Sequence, residues 1–119
     1  VIEITLPYPP SANSYWRSPN TGKLAGRHLL SEKGRNYREA VKVLCWQLGL
    51  KRMRGRLSVS LVVHPPDRRR RDLDNVLKAS FDSLTAGGAW EDDSQVDRIL
   101  VERGHVVKDG ALKVTIQAI

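Results

Sequence analysis

The amino-acid sequence predicts an α+β fold: one domain with a mixed β-sheet and two helices packed on it. Three observations carry that expectation. Residues 57 to 63 alternate in polarity as a half-buried strand does, residues 31 to 48 repeat apolar side chains at helical spacing, and the elements follow the order strand, helix, strand, helix, strand, strand. The chain has 119 residues, which suits a single unit spanning 1–119 with a core that needs no metal or disulfide staple.

In residues 1 to 6, Ile2, Ile4 and Leu6 share one side and Glu3 and Thr5 the other, as in a strand. Pro7, Pro9, Pro10, Pro19, Gly22 and Gly26 then make residues 7 to 30 a long loop with room for a short hairpin. Ser31 is placed to cap a helix that runs to about Leu48 through Tyr37, Ala40, Val41, Leu44, Cys45 and Leu48, with Gly49 ending it. Cys45 lies on that apolar stripe and reads as core. Leu57, Val59, Leu61 and Val63 form one face of a second strand, which Pro65 and Pro66 stop. A helical pattern returns from about Asp74 to Ala86 through Leu77, Ser80, Phe81 and Leu84, closed by Gly87 and Gly88. Residues 96 to 107 and 112 to 119 read as two strands joined by a turn at Asp109 and Gly110.

The formal net charge is +7 and the sequence pI about 10.0, which suits a polyanionic partner such as DNA or RNA. Cys45 is the lone cysteine, which excludes an intramolecular disulfide framework and a cysteine-rich zinc site and fits a reducing cytoplasm. No apolar run approaches the ~20 residues that span a bilayer, and the first residues lack the order of a signal peptide, so a soluble, cytoplasmic protein without membrane contact is expected.

The stretch DRRRRDLDN, residues 67 to 75, sets Asp72 and Asp74 against Arg68, Arg69, Arg70 and Arg71. Deep inside a helix, carboxylates two residues apart would point about 200° from each other; in an extended approach to the helix they share one side. The prolines upstream favour the extended form, with Asp74 near the N-cap. Two readings stand. The aspartates cap the helix and pair with the arginines, or they join one of Glu91, Asp92 and Asp93 in the later stretch WEDDSQV. Carboxylates converging at about 4 Å repel by roughly 4 kcal/mol per pair at an effective dielectric near 20, so a bare cluster is a poor stability device. A divalent cation reverses the sign, and oxygen-only ligands favour Mg²⁺, with Mn²⁺ a possible substitute. Such a site serves phosphoryl transfer, with the arginines holding the phosphodiester. Lys78, four residues after Asp74, either joins a surface ladder with Asp74 and Asp82 or stabilises charge at the reacting phosphate.

Three blocks, PYPPSANSYWR, PPDRRRRDLDNVLKASFDSL and WEDDSQV, resemble in order and spacing the RusA-type Holliday junction resolvases, over essentially the whole chain. By position, the resemblance implies that Asp72, Asp74 and Asp93 are metal-binding catalytic carboxylates, that Lys78 is the catalytic lysine, and that Asp92 is an accessory acid. It also implies a two-fold homodimer and Mg²⁺-dependent paired nicks in four-way junction DNA. One departure is visible: Ala89 stands where a larger apolar residue is expected, and Gly87–Gly88 makes a looser turn, which bears on where Asp93 lies.

Around these residues, Arg68 to Arg71 read as phosphate contacts against the alternative of a solvated charge run. Lys51, Arg52, Arg54 and Arg56 form a second basic cluster, equally suited to DNA or to solvent. Tyr15 and Trp16 are candidates to stack on bases or to pack their loop, and Asn13 and Arg17 to contact backbone nearby. His28, His64 and His105 read as structural or surface residues, and Trp46 and Trp90 as packing or dimer contacts. The expected function is a metal-dependent, structure-selective DNA endonuclease that resolves four-way junctions. The alternatives are a non-enzymatic nucleic-acid-binding protein and a nuclease for other branched DNA or RNA.

Overall fold

The computed structural model describes residues 1–19 and 22–119. The elements are β1 (Ile2–Leu6), α1 (Ala12–Tyr15), β2 (Trp16–Arg17), β3 (Leu29–Leu30), α2 (Glu32–Gln47), β4 (Leu57–His64), a 3-10 turn (Leu73–Val76) leading into α3 (Leu77–Ala86), a second 3-10 turn (Asp93–Gln95), β5 (Val96–Arg103) and β6 (Ala111–Ala118). The α+β class and the mixed sheet agree with the sequence reading; a third, four-residue helix, α1, is additional.

The sheet order is β1-β6-β4-β5. β6 runs antiparallel to both β1 and β4, and β5 runs parallel to β4. The last two strands are therefore not a hairpin. Asp109 and Gly110 do turn with φ of 65° and 73°, but the chain crosses the end of β4 to pair on its other side. A parallel neighbour is a long-range choice that local alternation does not encode.

Alternation puts Ile4 and Leu6, then Leu57, Val59, Leu61 and Val63, then Leu112, Val114 and Ile116, on one buried face. Glu3, Thr5, Ser60, Lys113 and Thr115 line the opposite, open face. Tyr37, Val41 and Cys45 from α2 and Ala79, Phe81 and Leu84 from α3 complete the same core. Each fully buried leucine there contributes about 1.5–3 kcal/mol. Cys45 is buried as expected, and burial raises its thiol pKa.

Both long helices end in a six-to-one motif with a left-handed glycine. Leu50 N–H donates to Cys45 O beyond Gly49, and Ala89 N–H donates to Leu84 O beyond Gly88. The second motif corrects the expectation of a loose turn before Trp90. Gly87 packs so closely on α2 that an added β-carbon would lie 2.8 Å from Cys45 Sγ, Ala89 is fully buried, and Met53 N–H donates to Ala89 O at 3.0 Å. Trp90 is buried edge-on to Phe81, its indole N–H donating to Thr85 Oγ1 at 2.6 Å, so it is a packing residue. Trp46 is 81% exposed.

The long N-terminal loop is pinned at its middle. Ser31 caps α2 by accepting from Gly34 N–H, and its own backbone N–H donates to Tyr15 O at 3.0 Å, drawing β2 and β3 into a two-residue ladder.

Candidate active site

Helix α3 starts late. The chain is extended at Asp72, with φ −83° and ψ 139°, and turns into a 3-10 coil at Leu73, so Asp74 already lies inside the first turn. Only Asp72 is in the extended approach, and the two carboxylates are not aligned by strand alternation as the sequence reading expected. The backbone bond from Asn75 N–H to Asp72 O closes the coil. Asp72 makes no side-chain capping bond, and none of its neighbouring arginines reaches it within ion-pairing distance among the described residues.

Asp74 and Lys78, one turn apart, line a cavity of about 370 Å³ together with Leu77, Phe81 and Ile99. Asp93 lines the same cavity. Residues 19 positions apart in the chain are thus brought to one hollow by the closed Gly87–Gly88 turn and the buried Trp90. Asp72 is not in that lining, and among the described residues no group of three His, Cys, Asp or Glu side chains is clustered closely enough to hold a metal. The donor chemistry nonetheless fits a hard cation. Two exposed carboxylates, Asp74 and Asp93, face a shared hollow and have no ion-pair partner among the described residues, and a third, Asp72, precedes Asp74 by two residues.

Asp92 and Asp93 separate cleanly. Asp92 caps the second 3-10 turn, accepting from Ser94 Oγ–H and from Ser94 N–H at 3.3 Å, while Gln95 Oε1 accepts from Asp92 N–H at 2.9 Å. Those bonds from Ser94, side chain first and backbone second, lower the Asp92 pKa. Asp93 follows in the first turn and makes no such bond among the described residues.

The turn that carries Asp93 is braced from the loop before β4. Gln95 Nε2 donates to Met53 O at 3.1 Å and Gly55 O at 3.0 Å, and Arg56 donates to Ser94 O at 2.7 Å and to the Asp97 carboxylate at 2.9 Å. Arg56 is therefore a brace, set apart from the exposed Lys51, Arg52 and Arg54. The sequence offered no local signal for it, because its partners lie 38 and 41 residues away.

The arginine run divides as well. Arg71 turns inward: Nη1 donates to Asp67 Oδ1 at 2.6 Å and its guanidinium lies 5.8 Å from the Tyr8 ring centre. The Arg71 bond and the Arg69 N–H bond bring the Asp67 pKa down to about 2. Arg68, Arg69 and Arg70 are exposed, and with Arg71 they border a further hollow closed by Arg103 and His105.

Tyr15 is corrected from a candidate base-stacking residue. It is fully buried, with its hydroxyl donating to the Asp82 carboxylate and lying 3.2 Å from Ser83 Oγ. Burial first, then the Asp82 bond, raises its pKa. Arg38 grips the same Asp82 oxygen through Nε at 3.1 Å and Nη2 at 2.6 Å. Asn13 and Arg17 stay exposed, and Trp16 is half-buried with His28 stacked on it at 4.6 Å. Asn75, which the sequence reading did not single out, accepts from Ala12 N–H at 3.3 Å and so ties α1 to the start of α3. His64 is buried beneath the strap after β5, as a structural residue.

Comparison with known proteins adds an independent line. A family model described as endodeoxyribonuclease RusA matches residues 7–117. The chain is 43% identical over 115 residues to a crossover junction endodeoxyribonuclease rusA of Enterobacteria phage HK97, covering 96% of this chain and 92% of that protein. It is 44% identical over 117 residues to the protein of the same name from Enterobacteria phage 82, and 43% identical over 117 residues to that of Escherichia coli (strain K12), covering 95% of this chain and 91% of the relative in both cases.

Proposed function

Because the chain belongs to the RusA endodeoxyribonuclease family, whose members are endonucleases that hydrolyse phosphodiester bonds, we propose that it resolves four-way DNA junctions as a Mg²⁺-dependent homodimer that makes paired, symmetric nicks. The observation that carries this reading is the convergence of Asp74, Lys78 and Asp93 on one hollow, with Asp72 two residues away. Asp74 and Asp93, which face the hollow, would hold the ion, with Asp72 from the extended segment as the third carboxylate. When bound, Mg²⁺ supplies Lewis acidity toward the phosphoryl oxygens and promotes attack by water.

The chain's own residues do the rest. Lys78 points a cation into the hollow with no acid paired to it among the described residues, available to stabilise the oxygen that departs from phosphorus. Arg68, Arg69 and Arg70 hold the strand by its backbone, which gives affinity without reading bases. Asn13 and Arg17 extend that contact from the pinned N-terminal loop. Two cuts related by a dyad call for two equivalent sites, which a two-fold dimer provides with one site per subunit. Leu100, 52% exposed on the open face of the outer strand β5, offers apolar surface for such an assembly.

The test is incubation with synthetic four-way, three-way and linear duplex DNA and with RNA, in Mg²⁺ or in chelator, alongside Asp74→Asn. Selective, Mg²⁺-dependent cutting of the four-way substrate that Asp74→Asn abolishes is expected. Binding without cutting under every condition would favour a non-enzymatic role, and equal cutting of all substrates a general nuclease.

A further inference from the structure

We propose that the hollow between the arginine loop and the end of β5 binds a DNA backbone phosphodiester within about three nucleotides of the one that is cut, with Arg103 reaching it from the sheet. This rests on the nuclease reading above. The hollow has a volume of about 440 Å³, and Arg68, Arg69, Arg70, Arg103 and His105 are among the side chains around it. Asp67 is the sole acid in the lining and is engaged, at 2.6 Å from Arg71 and 3.8 Å from Arg69. Arg68, Arg70 and Arg103 have no carboxylate within 4.0 Å among the described residues. Unpaired guanidiniums that share one hollow repel each other and gain from an anion placed between them; the planar fork of arginine matches phosphate oxygens.

Arg103 is held in advance of any ligand. The parallel register sets it beside Val63 on the covered face of the sheet, and Nη2 donates to Arg71 O at 2.9 Å. A guanidinium has five N–H donors, so this bond orients the group and leaves others free. The chain just beyond Arg103 is fastened to the end of β4: Gly104 N–H donates to Val63 O at 2.8 Å, Val107 N–H donates to Pro65 O at 3.0 Å, and His64 Nδ1 lies 2.9 Å from His105 O. A β-carbon at Gly104 would stand 2.5 Å from the His64 ring, so the two segments meet without slack. One wall of the hollow is thus rigid sheet, and the other is the arginine loop clamped by Asp67.

Position argues for a strand phosphate rather than a free anion. Arg71 borders this hollow and Asp74 the catalytic one, and three residues span at most ~11 Å. A DNA strand carries one phosphate per ~3.4 Å of helix axis, so the bound phosphate falls within about three nucleotides of the cut.

The test measures junction affinity against salt, with Mg²⁺ withheld, for the unaltered protein, Arg103→Gln and Arg103→Lys. Glutamine removes the charge while keeping a polar amide, and lysine keeps the charge without the planar fork. The expected result is a log–log salt slope shallower by about 0.9 for Arg103→Gln and unchanged for Arg103→Lys. A neutral methylphosphonate walked through the three nucleotides on either side of the cut should weaken binding of the unaltered protein at one position and weaken binding of Arg103→Gln less at that same position. Identical slopes and identical methylphosphonate penalties in all three proteins would overturn this inference alone. Failure of the unaltered protein to bind the junction would overturn the resolvase reading, and this one with it.

Discussion

Lys78 and Asp82 lie one helical turn apart on α3 and do not pair, because Asp82 is held by Arg38 and Tyr15 instead. The spacing that usually makes a surface ladder has been diverted. Asp82 ties α3 to α2 and α1, and Lys78 keeps its charge for the hollow it shares with Asp74 and Asp93.

Lys78→Ala should therefore cost activity and not stability. The side chain is exposed and unpaired among the described residues, so the thermal midpoint should stay put. Single-turnover cutting of a four-way junction should fall by roughly 10²–10³, the scale of losing one preorganised charge at a transition state. A lowered midpoint with an unchanged rate would assign Lys78 to the fold.

Asp92 and Asp93, adjacent in sequence, should separate in function. Asp93→Asn keeps the shape of the turn and removes a carboxylate from the hollow, so cutting should be lost while junction binding persists. Asp92→Asn retains an acceptor for Ser94 and should cut at close to the unaltered rate, and Asp92→Ala should loosen the turn and lower the thermal midpoint. Cutting rates and melting curves of the three variants decide it; equal loss of cutting in Asp92→Asn and Asp93→Asn would refute the division.

Much of this architecture was legible because it is local. Ser31, the apolar stripe through Tyr37, Val41 and Cys45, and the alternation from Leu57 to Val63 are short-range signals, and each element lies within a residue or two of where they put it. What escaped is set by distant partners. β5 chose a parallel place beside β4 rather than a hairpin with β6, since pairing depends on the whole sheet. Tyr15 suited base stacking or packing of its loop equally well in the sequence, and the choice of packing is made by Asp82, 67 residues away. Arg71 is indistinguishable from its neighbours in the sequence, and only Asp67 four residues earlier hinted that one of the run would be spent internally. The candidate site was readable as residue types and as a resemblance; Arg103 and the Arg56 and Gln95 brace were not, because nothing near them in the chain marks their role.

That brace is testable on its own. Gln95 joins both backbone N–H groups before the turn to both carbonyls of the facing loop, so Gln95→Ala frees the segment that carries Asp93 without touching the hollow. The maximal cutting rate should drop about tenfold or more while junction affinity holds, since small misplacements of a reacting group are costly. Gln95→Glu, which keeps the acceptor for the two N–H groups and sets a carboxylate against the Met53 and Gly55 carbonyls, should be no better than alanine. Unchanged rates in both variants would remove the brace from the positioning of Asp93.

The arginine loop should carry its own acid signature through Asp67. Its folded pKa of about 2, set by Arg71 first and by the Arg69 N–H second, lies below the ~3.9 of an unstructured aspartate. A carboxylate whose pKa is depressed by folding contributes stability that is complete above the unfolded value and is lost as pH falls through the folded one. Urea unfolding of the unaltered protein and of Asp67→Asn should thus differ by a constant amount from neutral pH down to about 4, and the difference should close between about pH 4 and pH 2. Asp92 and Asp97, whose pKa values are also lowered, are present in both proteins and cancel in that comparison. A difference that persists undiminished at pH 2 would mean that the clamp works through packing of Arg71 on Tyr8, leaving the Asp67 charge without a part in holding the approach to Asp72.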